Sequence, residues 1–152
     1  MGATDAIPGP TPTPVIHTLI VDDSESVRQR IEAFIQDWGS IKVVGTATNG
    51  DEAFAKVLAL RPDLVLMDID MPVMDGINAT QKIKQLTHPP RVIVVSLAPP
   101  SLVRAVLKAG ADAYCEKHRM HETLGNHIRT LFPNVKGLCA NPSEQAQSDE
   151  SR

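Results

Sequence analysis

Three short, almost wholly apolar runs constrain this chain more than any other feature: Thr18-Leu19-Ile20-Val21, Leu64-Val65-Leu66-Met67 and Val92-Ile93-Val94-Val95. Each is too short for an ordinary helix and lacks an alternating polar face, which is the pattern of a strand buried on both sides. Helical spacing fills the gaps between them. Over Ser26 to Trp38 the side chains of Val27, Ile31, Phe34 and Ile35 share one face with charges opposite, and Gly39 stands where a helix would stop. Asp51 to Leu60 groups Ala53, Phe54, Val57 and Leu58 before Pro62. Further helices are predicted over about Asn78 to Gln85, Ser101 to Ala109 (before Gly110) and Met120 to Phe132, and further strands over Ile41 to Ala47 and Ala113 to Glu116. Five strand–helix units in succession predict an α/β fold: a doubly wound five-stranded parallel sheet with helices on both faces.

The length of 152 residues suits one domain. With 42% apolar but only 3% aromatic residues, its core must be aliphatic. Residues 1–14, with Pro8, Pro10, Pro12 and Pro14, read as a disordered Pro-rich arm. The folded domain is expected over 15–132, and 133–152 as a flexible polar tail. A net charge of −3 with no basic stripe argues against direct nucleic-acid binding. No apolar run approaches the roughly 20 residues of a spanning helix, so membrane insertion is not expected. The first residues lack a secretory pattern, and after Met1-Gly2 a myristoylation site would want Ser or Thr where Ala6 stands. Cys115 and Cys139 form neither a metal spacing nor a disulfide framework, which suits a reduced, cytoplasmic protein.

Ligands of open α/β sheets sit beyond the carboxyl ends of the strands. There the sequence supplies Asp22 and Asp23 after the first strand, Asp68 after the third, Ser96 at the end of the fourth and Lys117 after the fifth. Alone, an Asp after a strand ordinarily caps a helix, and a Ser or Lys is ordinary surface. Together they are expected to converge on one crevice. Three neighbouring carboxylates repel unless a cation or shifted protonation compensates. Oxygen-only ligands favour a hard ion such as Mg²⁺. A carboxylate nucleophile, a divalent ion, an ammonium and a hydroxyl suit phosphoryl transfer.

The string Val65-Leu66-Met67-Asp68-Ile69-Asp70-Met71-Pro72-Val73-Met74-Asp75-Gly76 closely resembles the acceptor segment of two-component response-regulator receiver domains. Asp22-Asp23, Ser96 and Lys117 follow in that family's order and spacing, over about residues 16 to 132. The resemblance implies a flavodoxin-like, CheY-like sheet in the order 2-1-3-4-5. It implies that Asp68 accepts the phosphoryl group, and that Asp23, Asp68 and the backbone carbonyl of Asp70 hold Mg²⁺, with Asp22 helping through water. It makes Ser96 and Lys117 the phosphoryl-binding groups and Ser96 with Tyr114 the switch. The implied donors are a histidine kinase or a histidine phosphotransfer protein. The fourth helix, fifth strand and fifth helix would form the output face, toward a downstream protein or a second copy. Leu102, Val103, Val106 and Leu107 make an apolar arc on that fourth helix.

Three positions depart from the pattern. Leu97 replaces the usual Ala or Gly after the hydroxyl residue and is expected either to narrow access to Asp68 or simply to cover apolar surface. His118 replaces a Pro that commonly follows the Lys, so a trans bond is expected, since a non-proline cis bond costs about 3–4 kcal/mol. Asp70 and Ala98 alter positions that tune phosphoryl lifetime. His118, His121 and His127 read as surface residues, without metal-like spacing. No output module follows the receiver, so output is expected through a partner unless the chain is cut from something longer, and the chain is expected to be no enzyme beyond its own phosphotransfer and dephosphorylation. Two other readings stand beside this one. Asp68-Ile69-Asp70 also looks like the opening motif of haloacid-dehalogenase-like phosphatases, though that motif normally opens the domain. A pseudo-receiver that takes no phosphate would keep the fold but usually lacks an acid or the Lys.

Overall fold

The computed structural model describes residues 14–71, 75–97 and 100–135. The strands are β1 Ile16–Val21, β2 Ile41–Ala47, β3 Leu64–Met67, β4 Arg91–Ser96 and β5 Ala113–Glu116. The helices are α1 Glu25–Gln36, α2 Gly50–Leu60, α3 Gly76–Lys84, α4 Val103–Lys108 and α5 Met120–Leu131, with 3₁₀ turns over Pro100–Leu102 and Lys117–Arg119. All four strand pairings are parallel and the order is β2-β1-β3-β4-β5. This is the doubly wound sheet expected from the sequence. Most of the arm and tail, together with Pro72-Val73-Met74, Ala98 and Cys139, lies outside the described residues.

The alternation of side chains along each strand builds two cores. Leu19, Val21, Val65, Met67, Val92 and Val94 point to one face and meet Ala53 and Val57 of α2, Ala79 and Ile83 of α3 and Val106 of α4. Ile16, Ile20, Leu64, Leu66, Ile93 and Val95 point to the other, against Ile31 and Ile35 of α1 and Leu124 and Ile128 of α5. Each of these large side chains stabilises the fold by roughly 1.5–3 kcal/mol through burial.

Caps set where the helices begin. The side chains of Ser24, Asn49 and Asp75 accept from the backbone N–H groups of Val27, Glu52 and Asn78. Each satisfies one of the orphan donors of a first turn. The Asp75 cap starts α3 at Gly76, two residues before the sequence estimate. The fourth helix is shorter than the predicted Ser101 to Ala109: no side chain caps it, and its first turn is the 3₁₀ segment Pro100–Leu102. Of its apolar arc, Val106 is buried, Leu102 and Val103 are half-buried and Leu107 is exposed. α2 ends on Arg61 in the left-handed region (φ 50°) rather than on a glycine. No described peptide bond is cis, so Lys117-His118 is trans, as expected.

Candidate functional site

Strand register brings the polar strand ends together. Val21 lies opposite Met67, and the chain continues the ladder one step further: Asp68 N–H donates to the Val21 carbonyl at 2.9 Å, and Asp22 N–H to the Ala47 carbonyl at 3.0 Å. Asp22 and Asp68 therefore emerge side by side at the end of the central strands. Ser96 closes β4 beside them, and Lys117 leaves β5 on the 3₁₀ turn. One hollow of about 690 Å³ is lined by Asp22, Asp23, Asp68, Asp70, Ser96 and Lys117, with Leu97 on its wall. Asp22, Asp68 and Ser96 are buried, Asp23 and Asp70 are exposed, and Leu97 is 59% exposed.

Within the hollow, carboxylate oxygens of Asp22, Asp23 and Asp68 lie within 4.8 Å of one another. The Lys117 ammonium stands 2.6 Å from Asp22 Oδ2 and 3.6 Å from Asp68 Oδ1. Asp22 Oδ2 is buried and faces the Lys117 ammonium. The other oxygen, Oδ1, accepts from Ser24 N–H at 2.9 Å. Burial pushes the Asp68 carboxyl up to about 6, and the neighbouring Asp22 charge pushes it the same way; Lys117 and the backbone N–H groups of Asp70 and Ile69 pull it down. Three crowded carboxylates against a single ammonium fit a hard divalent cation, which is the donor chemistry Mg²⁺ takes.

Two backbone N–H groups after Asp68 share one acceptor. Met71 N–H and Gly76 N–H both donate to the Ile69 carbonyl, at 3.1 and 2.9 Å. A Cβ at position 76 would sit 1.9 Å from the Asp68 carbonyl oxygen, so only glycine fits there. Tyr114 does not line the hollow. It is half-buried on β5, packs against the α2–α4 core, and places its hydroxyl 3.5 Å from the Ser96 carbonyl oxygen. Sequence reasoning missed Arg28, whose Nη1 donates to the Asp22 carbonyl at 2.7 Å, and Ser24 and Asp75 on the hollow wall. The arginine falls six residues after Asp22, in the first turn of α1, a spacing that nothing in the composition marks out.

The family model of the response regulator receiver domain matches residues 18–129. The chain is 42% identical over 105 residues to a protein-glutamate methylesterase/protein-glutamine glutaminase of Pseudomonas aeruginosa, covering 68% of this chain and 28% of that protein. It is similar in structure to the response regulator domain of Thermotoga maritima CheB, with 31% identity, 79% and 96% coverage and a TM-score of 0.69. The CheX-CheY-BeF3-Mg complex of Borrelia burgdorferi is similar too, at 27% identity, 77% and 89% coverage and a TM-score of 0.68. The chain spans between 22% and 38% of the length of the methylesterase relatives it matches. These names correct one expectation, that the protein is no enzyme. The relatives are enzymes that carry this domain as one part, so the missing output module was no ground for that expectation.

Proposed function

This chain belongs to the response regulator receiver domain family, and from that premise we propose that it is switched by Mg²⁺-dependent phosphorylation of Asp68. The observation that carries the reading is the shared hollow: Asp22, Asp23 and Asp68 with oxygens within 4.8 Å, and Lys117 opposite. Asp23, Asp68 and the Asp70 carbonyl would hold Mg²⁺, and Asp22 would hold its water. The bound ion supplies positive charge that offsets both the carboxylates and the phosphoryl oxygens.

Asp68 attacks the phosphorus of a phosphohistidine in line. A P–O bond forms, the P–N bond breaks, and the imidazole leaves with the electron pair and takes up a proton. Lys117, now held mainly by Asp22, turns to the incoming phosphoryl oxygens, and the Ser96 hydroxyl donates to another. Ser96 moving toward the phosphoryl group takes its carbonyl with it, so Tyr114, whose hydroxyl faces that carbonyl, is set to follow. The output face is α4, β5 and α5, where Leu107 is 47% exposed. The donor is a histidine kinase or a histidine phosphotransfer protein, and the target is a downstream protein or a second copy. A pseudo-receiver reading wants a missing acid or Lys, and every one of these groups stands around the hollow. No helix among the described residues is long and apolar enough to cross a membrane. The free, buried thiol of Cys115 supports our placing the protein in the reducing cytoplasm.

Incubation with acetyl phosphate, with and without Mg²⁺, tests the reading. Mass spectrometry should find one acid-stable, base-labile phosphoryl group on Asp68, absent from Asp68→Asn and absent without the metal. Labelling that persists in the variant, or no labelling with metal present, would defeat it.

A further inference from the structure

Of the three carboxylates that share the hollow, Asp22 and Asp68 are buried and Asp23 is exposed. Ser24 N–H aims Asp22 by donating to its Oδ1 at 2.9 Å. The Asp23 side chain makes no hydrogen bond or ion pair with the described residues, so its direction depends on the backbone that carries it. That backbone starts at the Asp22–Asp23 peptide, just past the last rung of the sheet. Asp22 N–H still donates to the Ala47 carbonyl, but the Asp22 carbonyl accepts from no backbone N–H among the described residues. Asp22 is 1% exposed, so bulk water does not serve that oxygen instead. A buried carbonyl without a donor would turn its peptide to find one.

Arg28, in the first turn of α1, supplies the donor. Its Nη1 donates to the Asp22 carbonyl at 2.7 Å, and its backbone N–H donates to the Ser24 carbonyl at 3.0 Å. One residue therefore fastens the β1–α1 turn at both ends. Arg28 is half-buried and forms no ion pair among the described residues, so its charge is directed at a peptide oxygen. A charged donor makes a stronger hydrogen bond than a neutral one, and the rigid guanidinium fork loses little freedom in making it. Lys117 differs, because its ammonium stands on the carboxylates themselves.

We infer that Arg28 is a positioning residue for the cation site: it holds the Asp22–Asp23 peptide in the orientation that turns the Asp23 carboxylate into the hollow. The inference rests on the reading of that hollow as a Mg²⁺ site. Two effects of Arg28 on a bound ion would have opposite signs. As a bare charge near the hollow it would repel Mg²⁺ and weaken binding. As a clasp on the turn it strengthens binding, because apparent affinity scales with the fraction of molecules whose ligands are already in place. The guanidinium contacts a peptide and not a carboxylate, so the second effect governs.

The test uses the full chain and Mg²⁺ alone, titrated by calorimetry with no phosphodonor or partner. Arg28→Met keeps a long stem but removes both donor and charge. Its Mg²⁺ affinity should fall about tenfold, the scale of one hydrogen bond from a charged donor. In metal-free protein its Ser24 amide, which donates to Asp22 Oδ1, should exchange with solvent about tenfold faster. Arg28→Lys keeps the charge on a shorter reach and should lose about threefold in Mg²⁺ affinity, a loss that charge alone does not explain. A residue that merely stabilised the fold would lower the unfolding midpoint of both variants and leave their Mg²⁺ affinity and Ser24 exchange unmoved. The inference is overturned if Arg28→Met binds Mg²⁺ as tightly as wild type or more tightly, or if its Ser24 amide exchanges no faster. Should Arg28→Met fail to fold, Arg28→Lys decides on the same terms. If wild type binds no Mg²⁺, the metal reading falls and takes this inference with it. If wild type binds and the variants match it, this inference alone falls.

Discussion

Replacing Asp68 by Asn in metal-free buffer removes a carboxylate that the fold holds against its preference, and the protein should gain stability. In the folded state the carboxyl is pushed from 3.8 up to about 6, first by burial and then by Asp22. In the unfolded chain it ionises near its ordinary value. Between those two values the unfolded chain releases its proton while the folded one keeps it, so stability falls as pH rises through that window and then levels off. At about 1.36 kcal/mol per tenfold change, the gap is worth about 3 kcal/mol. The variant does not titrate there, so its advantage should be absent below pH 4, grow between about pH 4 and pH 6, and hold near 2–3 kcal/mol at pH 7. Lys117 still has Asp22 at 2.6 Å, so the substitution does not orphan the ammonium. Urea unfolding in EDTA across that range measures the difference. Saturating Mg²⁺ should narrow it by binding the folded wild type. A variant no more stable than wild type at pH 7 in EDTA, or a difference that does not change with pH, would refute the reasoning.

Gly76→Ala should cost about 3 kcal/mol or more and weaken Mg²⁺ binding, because its Cβ would lie 1.9 Å from the Asp68 carbonyl oxygen; urea unfolding and a metal titration check both. Lys117→Ala should bind Mg²⁺ more tightly than wild type, since the ammonium now competes for Asp22 and Asp68, yet accept phosphate more slowly. Calorimetry and acetyl-phosphate labelling separate the two effects, and weaker metal binding would speak against the assigned geometry. Leu97→Ala should shorten the life of the aspartyl phosphate several-fold if the exposed leucine on the hollow wall limits water, a change read from the decay of labelled protein.

The parts of the fold legible in the sequence were those set by repetition. Apolar runs such as Leu64-Val65-Leu66-Met67 mark strands because a sheet covered on both faces leaves no position for a polar side chain. Asp22, Asp68 and Ser96 could be placed because each ends such a run, and Lys117 because it follows the short fifth strand Ala113–Glu116. What escaped depends on register and three-dimensional closeness. That Lys117 sits nearer Asp22 than Asp68 could not be read from strand order, in which β3 lies nearer β5 than β1 does. The Arg28 contact to the Asp22 carbonyl arises from helix placement, which periodicity does not reveal. Element ends also shifted: β1 begins at Ile16 because Ile16 pairs with Ile41. The fourth helix contracted because its start carries no cap. The mistaken expectation of a non-enzyme had a different origin, since a receiver can be one part of a longer catalytic chain.

A crystal grown with MnCl₂ and measured at the metal's absorption edge would test the central claim most directly. The account predicts one strong anomalous peak in the hollow, about 2.1 Å from carboxylate oxygens of Asp23 and Asp68 and from the Asp70 carbonyl. Lys117 should have withdrawn from Asp68 toward Asp22. An ion bound elsewhere, or an empty hollow at saturating metal with Asp23 turned to solvent, would contradict it.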